Sequence, residues 1–146
     1  MNTQLSGFEF ERPAGLPALR ALLTRLGREQ RRFAVAAGGT DLMPQLKQGL
    51  VAPEVLVSLN GVGELTGIAV QDDGTLRIGA LTRLADLVDS PLVRQHQPAL
   101  AAAAGRVASP QIRNRATLGG NLLVNNRCIY VNQSPLNRAV HAPCFK

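Results

Sequence analysis

Fifteen residues, Ala108 to Leu122, bring together groups that can hold an anion. Ser109-Pro110 marks a turn, Arg113 and Arg115 stand two apart, and Ala116-Thr117-Leu118 is a short β-prone run ending on Gly119-Gly120-Asn121. Adjacent glycines let a backbone approach a ligand because no Cβ intervenes. Exposed N–H groups at such a turn make an anion nest, and guanidinium groups nearby add charge-assisted hydrogen bonds. The chemistry is that of a diphosphate cradle. A tight strand-to-strand turn flanked by two solvated arginines is the plainer alternative.

A second glycine pair stands earlier in the chain. Phe33-Ala-Val-Ala-Ala37 has the look of a buried strand of small residues and runs straight into Gly38-Gly39-Thr40-Asp41, followed by the helix-like run Leu42 to Lys47. A glycine pair between a strand and a helix is where α/β proteins hold phosphates, and Asp41 or Thr40 could cap that helix. No third glycine and no Gly-Lys-Ser/Thr follows, so neither common nucleotide motif is present. A capped strand-to-helix turn without a ligand fits the same residues.

The surrounding elements must place these two stretches. Phe8-Glu-Phe10 alternates as a strand, and Leu16, Leu19, Leu22, Leu23 and Leu26 fall at helical spacing between Pro17 and Gly27. The basic stretch Arg28 to Arg32 reads as a solvated connection. Strand, helix and strand make a βαβ unit, with Val55 to Leu59 a third buried strand. Gly61 and Gly63 mark the best lobe boundary, which gives an N-terminal lobe over 1–60, a second α+β lobe over 61–123 and a cysteine-containing loop over 124–146. In the second lobe Leu65–Val70 and Leu76–Ala80 form a hairpin around a polar, Gly-containing loop. Thr82 can cap a helix carrying Leu84, Leu87 and Val88, Ser90-Pro91 opens another, and Pro98 to Ala108 reads as an alanine-rich core helix.

Charge separates the two ends. Residues 1–89 hold nine basic and ten acidic groups, whereas residues 90–146 hold seven basic groups and no acid. A basic end attracts anions such as nucleic acid, a nucleotide cofactor or a coenzyme A ester, or makes a subunit contact. Two lysines and 3% aromatics argue against nucleic acid, which favours clustered lysines and stacking rings. No apolar run approaches the length of a membrane span. The N-terminus lacks a secretory pattern, which points to a cytoplasmic protein. Cys128 and Cys144 match no compact zinc spacing. His96 reads as a surface residue; His141 precedes Cys144 by three, but a solvated role fits it better than a metal.

Taken as a pair, residues 36–44 and 109–122 resemble the signatures of the FAD-binding subunit of molybdenum hydroxylases, the xanthine and carbon monoxide dehydrogenase family; Gly79 to Leu84 fits as well. The tail, with Asn125-Asn-Arg-Cys-Ile-Tyr130, Asn132-Gln-Ser134 and Cys144, narrows the likeness to the beta subunit of 4-hydroxybenzoyl-CoA reductases. The resemblance implies an α+β, two-lobed FAD fold of the vanillyl-alcohol-oxidase/PCMH type, its second lobe incomplete here. It implies FAD contacts at Ala37, Gly38, Gly39, Thr40 and Asp41, mainly through backbone N–H groups, and at Ala108, Ser109, Thr117, Gly120 and Asn121. Cys128 and Cys144 would be the first two ligands of a [4Fe–4S] cluster, which needs four and so is incomplete on this chain.

The implied role is electron transfer with no catalytic acid, base or nucleophile from the protein, since the cofactors carry the chemistry. Electrons would pass from ferredoxin through the cluster and FAD to a [2Fe–2S] subunit and a molybdopterin-binding subunit. The chain resembles the N-terminal part of such a subunit. The rival expectations are a carbon monoxide or xanthine dehydrogenase flavin subunit, a cofactor-free fragment that docks to partner subunits, and, more remotely, an anion- or nucleic-acid-binding module.

Overall fold

Three short strands at the N-terminal end assemble around the one that comes last. In the computed structural model, which describes residues 7–125 and 139–140, β1 (Glu9–Glu11) and β2 (Phe33–Ala36) both pair in parallel with β3 (Val55–Ser58), in the order β1-β3-β2. All four residues of β3 are buried. The placement corrects the sequence reading of β2: it is an edge strand, and Phe33 and Val35 are 39% and 44% exposed.

One face of this sheet is covered by α1 (Leu16–Arg28), whose Leu19 and Leu26 are buried with Val55, Val57 and Val62. Pro17 sits in its first turn, where a missing N–H costs no helical bond. The helix runs through Gly27 instead of stopping before it. Gln30, at φ 52, makes the left-handed exit, while the Arg31 N–H reaches back to the Leu26 carbonyl at 3.0 Å. The basic stretch after it is no mere solvated connection. Arg31 contacts Glu9 at 2.8 Å and Glu54 at 3.7 Å, and Arg32 contacts Glu54 at 3.1 Å, so the starts of all three strands are laced together.

Beyond β2 the chain turns through the first glycine pair into α2 (Leu42–Lys47). After β3 come two single 3₁₀ turns, Leu59–Gly61 and Gly63–Leu65. Gly61 is tightly seated, because a Cβ there would collide with the Pro13 carbonyl oxygen.

The second half begins with the expected hairpin, β4 (Ile68–Val70) antiparallel to β5 (Leu76–Ile78). It continues through α3 (Leu84–Asp89), α4 (Pro91–His96), α5 (Pro98–Gly105), α6 (Pro110–Arg113) and α7 (Leu118–Leu122). Leu84, Leu87, Val93, Ala101, Ala104 and Ala116 are buried as a second cluster, against which Ile68, Leu76 and Ile78 pack. The two clusters share no buried residue. Among the described residues no helix is long and apolar enough to cross a membrane.

Caps fall partly where the sequence put them. Ser90 accepts from the Val93 N–H at 3.3 Å. Asp41 and Thr82 do not cap: Asp41 instead accepts from the Gln45 amide at 2.5 Å, and Thr82 donates to the Gly67 carbonyl at 3.2 Å. Arg83 takes the position ahead of α3, and the helix's first N–H, that of Leu84, donates to the Ala116 carbonyl at 2.9 Å.

Candidate functional site

Both motif stretches reach one cleft, the first through Ala37 and Gly38 and the second through Arg115 and Thr117. Its volume is about 560 Å³, and its walls come from Ala37 and Gly38 after β2, from Asn60 through Ile68, from Leu81 through Asp86 before and within α3, and from Arg115 and Thr117. The two stretches are pressed together at one point. A Cβ on Gly38 would overlap the Arg115 carbonyl oxygen and lie 2.7 Å from its carbon, closer than real side chains come, and 3.2 Å from Ala116 Cα.

The first loop offers free donors. Gly39 turns the chain at φ 76, a conformation other residues resist. Its carbonyl receives the Met43 N–H at 3.0 Å. The N–H groups of Gly38, Gly39 and Thr40 have no protein acceptor among the described residues, so they remain available to an anion.

The second loop corrects the expectation of a matching nest. Ser109-Pro110 starts a helix: the Ser109 hydroxyl accepts from the Ile112 N–H at 3.4 Å, and α6 follows. Ala116–Leu118 contributes only an isolated antiparallel bridge, Arg83 with Thr117, and the glycine pair lies inside α7. Its N–H groups are spent. Leu118 donates to Thr82 O at 2.9 Å, Gly119 to Ala80 O at 2.8 Å, Gly120 to Thr117 Oγ1 at 3.2 Å and Asn121 to Thr117 O at 2.9 Å. Gly119 is also a packing glycine, since a Cβ there would stand 2.8 Å from Ala80 Cβ.

The two arginines separate just as clearly. Arg113 donates to the carbonyls of Val107 at 2.9 Å and Ala108 at 3.2 Å, pinning the bend where Ala108 takes φ 44. Arg115 lines the cleft, and its guanidinium has no partner among the described residues. Arg83 and Asp86 share the cleft with it, and no ion pair of the described residues involves any of the three. Two cations against one carboxylate leave the cleft positive, which suits an anion.

Of the residues expected to bind a cofactor, Ala37, Gly38 and Thr117 line this cleft. Gly39, Thr40 and Asp41 follow directly but are not in its walls; Ala108 and Ser109 sit at the entrance to α6, and Gly120 and Asn121 are exposed on α7. Cys128 and Cys144 lie outside the described residues. Among the described residues no group of three or more His, Cys, Asp or Glu could hold a metal. Sequence reasoning missed Asn60, Thr66, Arg83 and Asp86 as cleft residues. Arg83 had a signal, since it falls inside the Gly79–Leu84 stretch; the others had none.

Glu64, between the cleft residues Gly63 and Thr66, ties this segment to the first helix. The Glu64 carboxylate accepts from the Leu16 N–H at 3.0 Å, and this backbone donor holds its carboxyl below the ordinary range.

Residues 6–140 match the family described as FAD binding domain in molybdopterin dehydrogenase. The chain belongs to this family. It is 40% identical over 115 residues to the carbon monoxide dehydrogenase medium chain of Hydrogenophaga pseudoflava, covering 79% of this chain and 39% of that one. It is 44% identical over 86 residues to the xanthine dehydrogenase FAD-binding subunit of Escherichia coli O157:H7, covering 59% of this chain and 30% of the relative. The solved carbon monoxide dehydrogenase from Hydrogenophaga pseudoflava superposes with a TM-score of 0.75 at 39% identity, over 82% of this chain and 40% of that one. The fold is thus the α+β FAD-binding fold, and the chain spans 30–39% of the length of these curated relatives. The Gly38 N–H and the unpaired Arg83 and Arg115 guanidinium groups in the walls, with the open N–H groups of Gly39 and Thr40 directly after, are donors of the kind that hold a dinucleotide's diphosphate.

Proposed function

We propose that this chain forms the diphosphate-binding walls of an FAD-containing electron-transfer subunit in a molybdenum oxidoreductase. The observation that carries this is the seating of Gly38 on the Arg115–Ala116 backbone, which delivers both glycine stretches to one positively charged cleft. The N–H groups of Gly38, Gly39 and Thr40 hold phosphate oxygens, and Arg115 and Arg83 supply counter-charge. Ala37, Asp41, Ala108, Ser109, Thr117, Gly120 and Asn121 complete the contacts that the motifs imply. FAD, when bound, supplies the electron-transfer chemistry, and the protein supplies position and electrostatics. The partners are a [2Fe–2S] subunit and a molybdopterin-binding subunit, in a cytoplasmic complex.

The tail supports a 4-hydroxybenzoyl-CoA reductase-like assignment, with Cys128 and Cys144 as the first two ligands of a [4Fe–4S] cluster and ferredoxin as donor. The names of the relatives favour a second reading, a flavin subunit of the carbon monoxide or xanthine dehydrogenase kind. Iron analysis of the flavin subunit isolated from its native complex separates them: a cluster supports the first, and an iron-free flavoprotein the second. The FAD assignment itself is tested by adding FAD to the purified chain and recording the visible spectrum after desalting. A colourless product that binds no FAD in titration overturns it and leaves a subunit-docking fragment.

A further inference from the structure

We propose that Gly38, besides offering its N–H, is a positioning residue for the cofactor whose missing side chain acts through Arg115; this rests on the FAD reading above. Gly38 follows β2, whose sheet is fixed by the cluster of Leu19, Leu26, Val55, Val57 and Val62. Arg115–Ala116 belongs to the other cluster: Ala116 is 8% exposed, and its N–H and carbonyl are engaged by Ile112 O at 2.7 Å and Leu84 N at 2.9 Å. The Gly38 contact is therefore where two separately packed cores fix the distance between the loops.

A methyl group at Gly38 would stand 2.7 Å from the Arg115 carbonyl carbon. Carbon atoms rest about 3.5–4.0 Å apart, so the Gly38 loop and the 115–117 segment must part by about 1 Å. That segment carries two cleft residues, Arg115 and Thr117. Arg113 is held by the Val107 and Ala108 carbonyls and cannot take over. Gly39, by contrast, meets only Met43 Cγ at 3.4 Å. The glycine nearest the other motif sets the geometry, and the one after it turns the chain.

The test is a double-mutant cycle read with two probes. FAD, and riboflavin as its phosphate-free half, are titrated into the wild-type chain, Gly38→Ala, Arg115→Gln and the double variant, following flavin fluorescence in a protein without tryptophan. Each single variant loses about tenfold or more in FAD affinity while riboflavin affinity stays within about twofold, and the double variant loses no more than the weaker single one. Multiplying losses, an unchanged FAD affinity in Gly38→Ala, or a parallel fall for riboflavin overturns the proposal. Should Gly38→Ala fail to fold, the amide resonances of 38–40 and 115–117 in the wild type must titrate with FAD at one common Kd, and a response confined to 38–40 overturns it. Wild-type protein that takes up no FAD removes the cofactor reading and this proposal with it. Binding with independent losses removes the coupling alone.

Discussion

The two Gly-Gly pairs are the same dipeptide in two different trades. At Gly38-Gly39 the chain leaves a strand, turns through a positive φ and leaves its N–H groups without protein acceptors. At Gly119-Gly120 the chain is helical, and all N–H groups from Leu118 to Asn121 are consumed by Thr82, Ala80 and Thr117. The first pair presents donors. The second presents nothing from its backbone N–H groups, but its helix fixes the segment that points Arg115 and Thr117 into the cleft. In each pair the leading glycine is demanded by neighbouring protein atoms. A glycine pair is thus evidence of crowding before it is evidence of a ligand.

Substitutions sharpen this contrast. Gly119→Val drives a branched side chain into Ala80, 2.8 Å from where its Cβ would lie, and is expected to cost about 1–3 kcal/mol or more. In calorimetry without FAD that lowers Tm by roughly 2–4 °C per kcal/mol at this chain length. Gly39→Ala meets no such crowding and should cost only the left-handed backbone penalty, about 1–2 kcal/mol; an equal or larger loss than Gly119→Val would reverse the division described above. Thr117→Val removes the hydroxyl that accepts from Gly120 N and should cost about 1 kcal/mol, seen as a lower urea midpoint with an unchanged m-value.

The arginines give a smaller split. Arg113→Gln releases two carbonyls and should destabilise the chain by about 1 kcal/mol with only an indirect effect on FAD. Arg115→Gln should leave the midpoint unmoved and weaken FAD binding more at low salt than at high. The smallest effect concerns Glu64. Its carboxyl is held below the ordinary value of 4.5 by the Leu16 N–H, so the stability it gives is complete above that value and fades as pH falls through the lowered folded value. Below pH 4.5, Glu64→Gln should show a shallower fall of Tm with acidification than wild type; parallel curves would leave that carboxylate without influence on α1.

Much of this was readable from residue order. The leucine spacing of α1, the valine-rich β3 and the hairpin around Gly74 are local patterns, and local patterns survive folding. What was not readable depends on who sits beside whom. Nothing in Phe33-Ala-Val-Ala says that β3 will take the centre and leave β2 at an edge. Thr82 has a capping residue's chemistry, yet α3 draws its first acceptor from Ala116, more than thirty residues away in the chain. Asn60, Thr66 and Asp86 enter the cleft only because the turns after β3 and the start of α3 converge there. The arginine pair Arg113 and Arg115 showed the same limit: spacing nominated both, and only the bend at Ala108 decides which one is free.

The strand order carries a kinetic consequence. β1 and β2 never touch each other in the ladder; each waits for Val55–Ser58. As the chain emerges from the ribosome, both outer strands and the apolar side of α1 must stay unsatisfied until that last segment arrives, and loop closure over more than forty residues precedes any β1 pairing. Nascent chains stalled before residue 55 should therefore be the ones that need a chaperone.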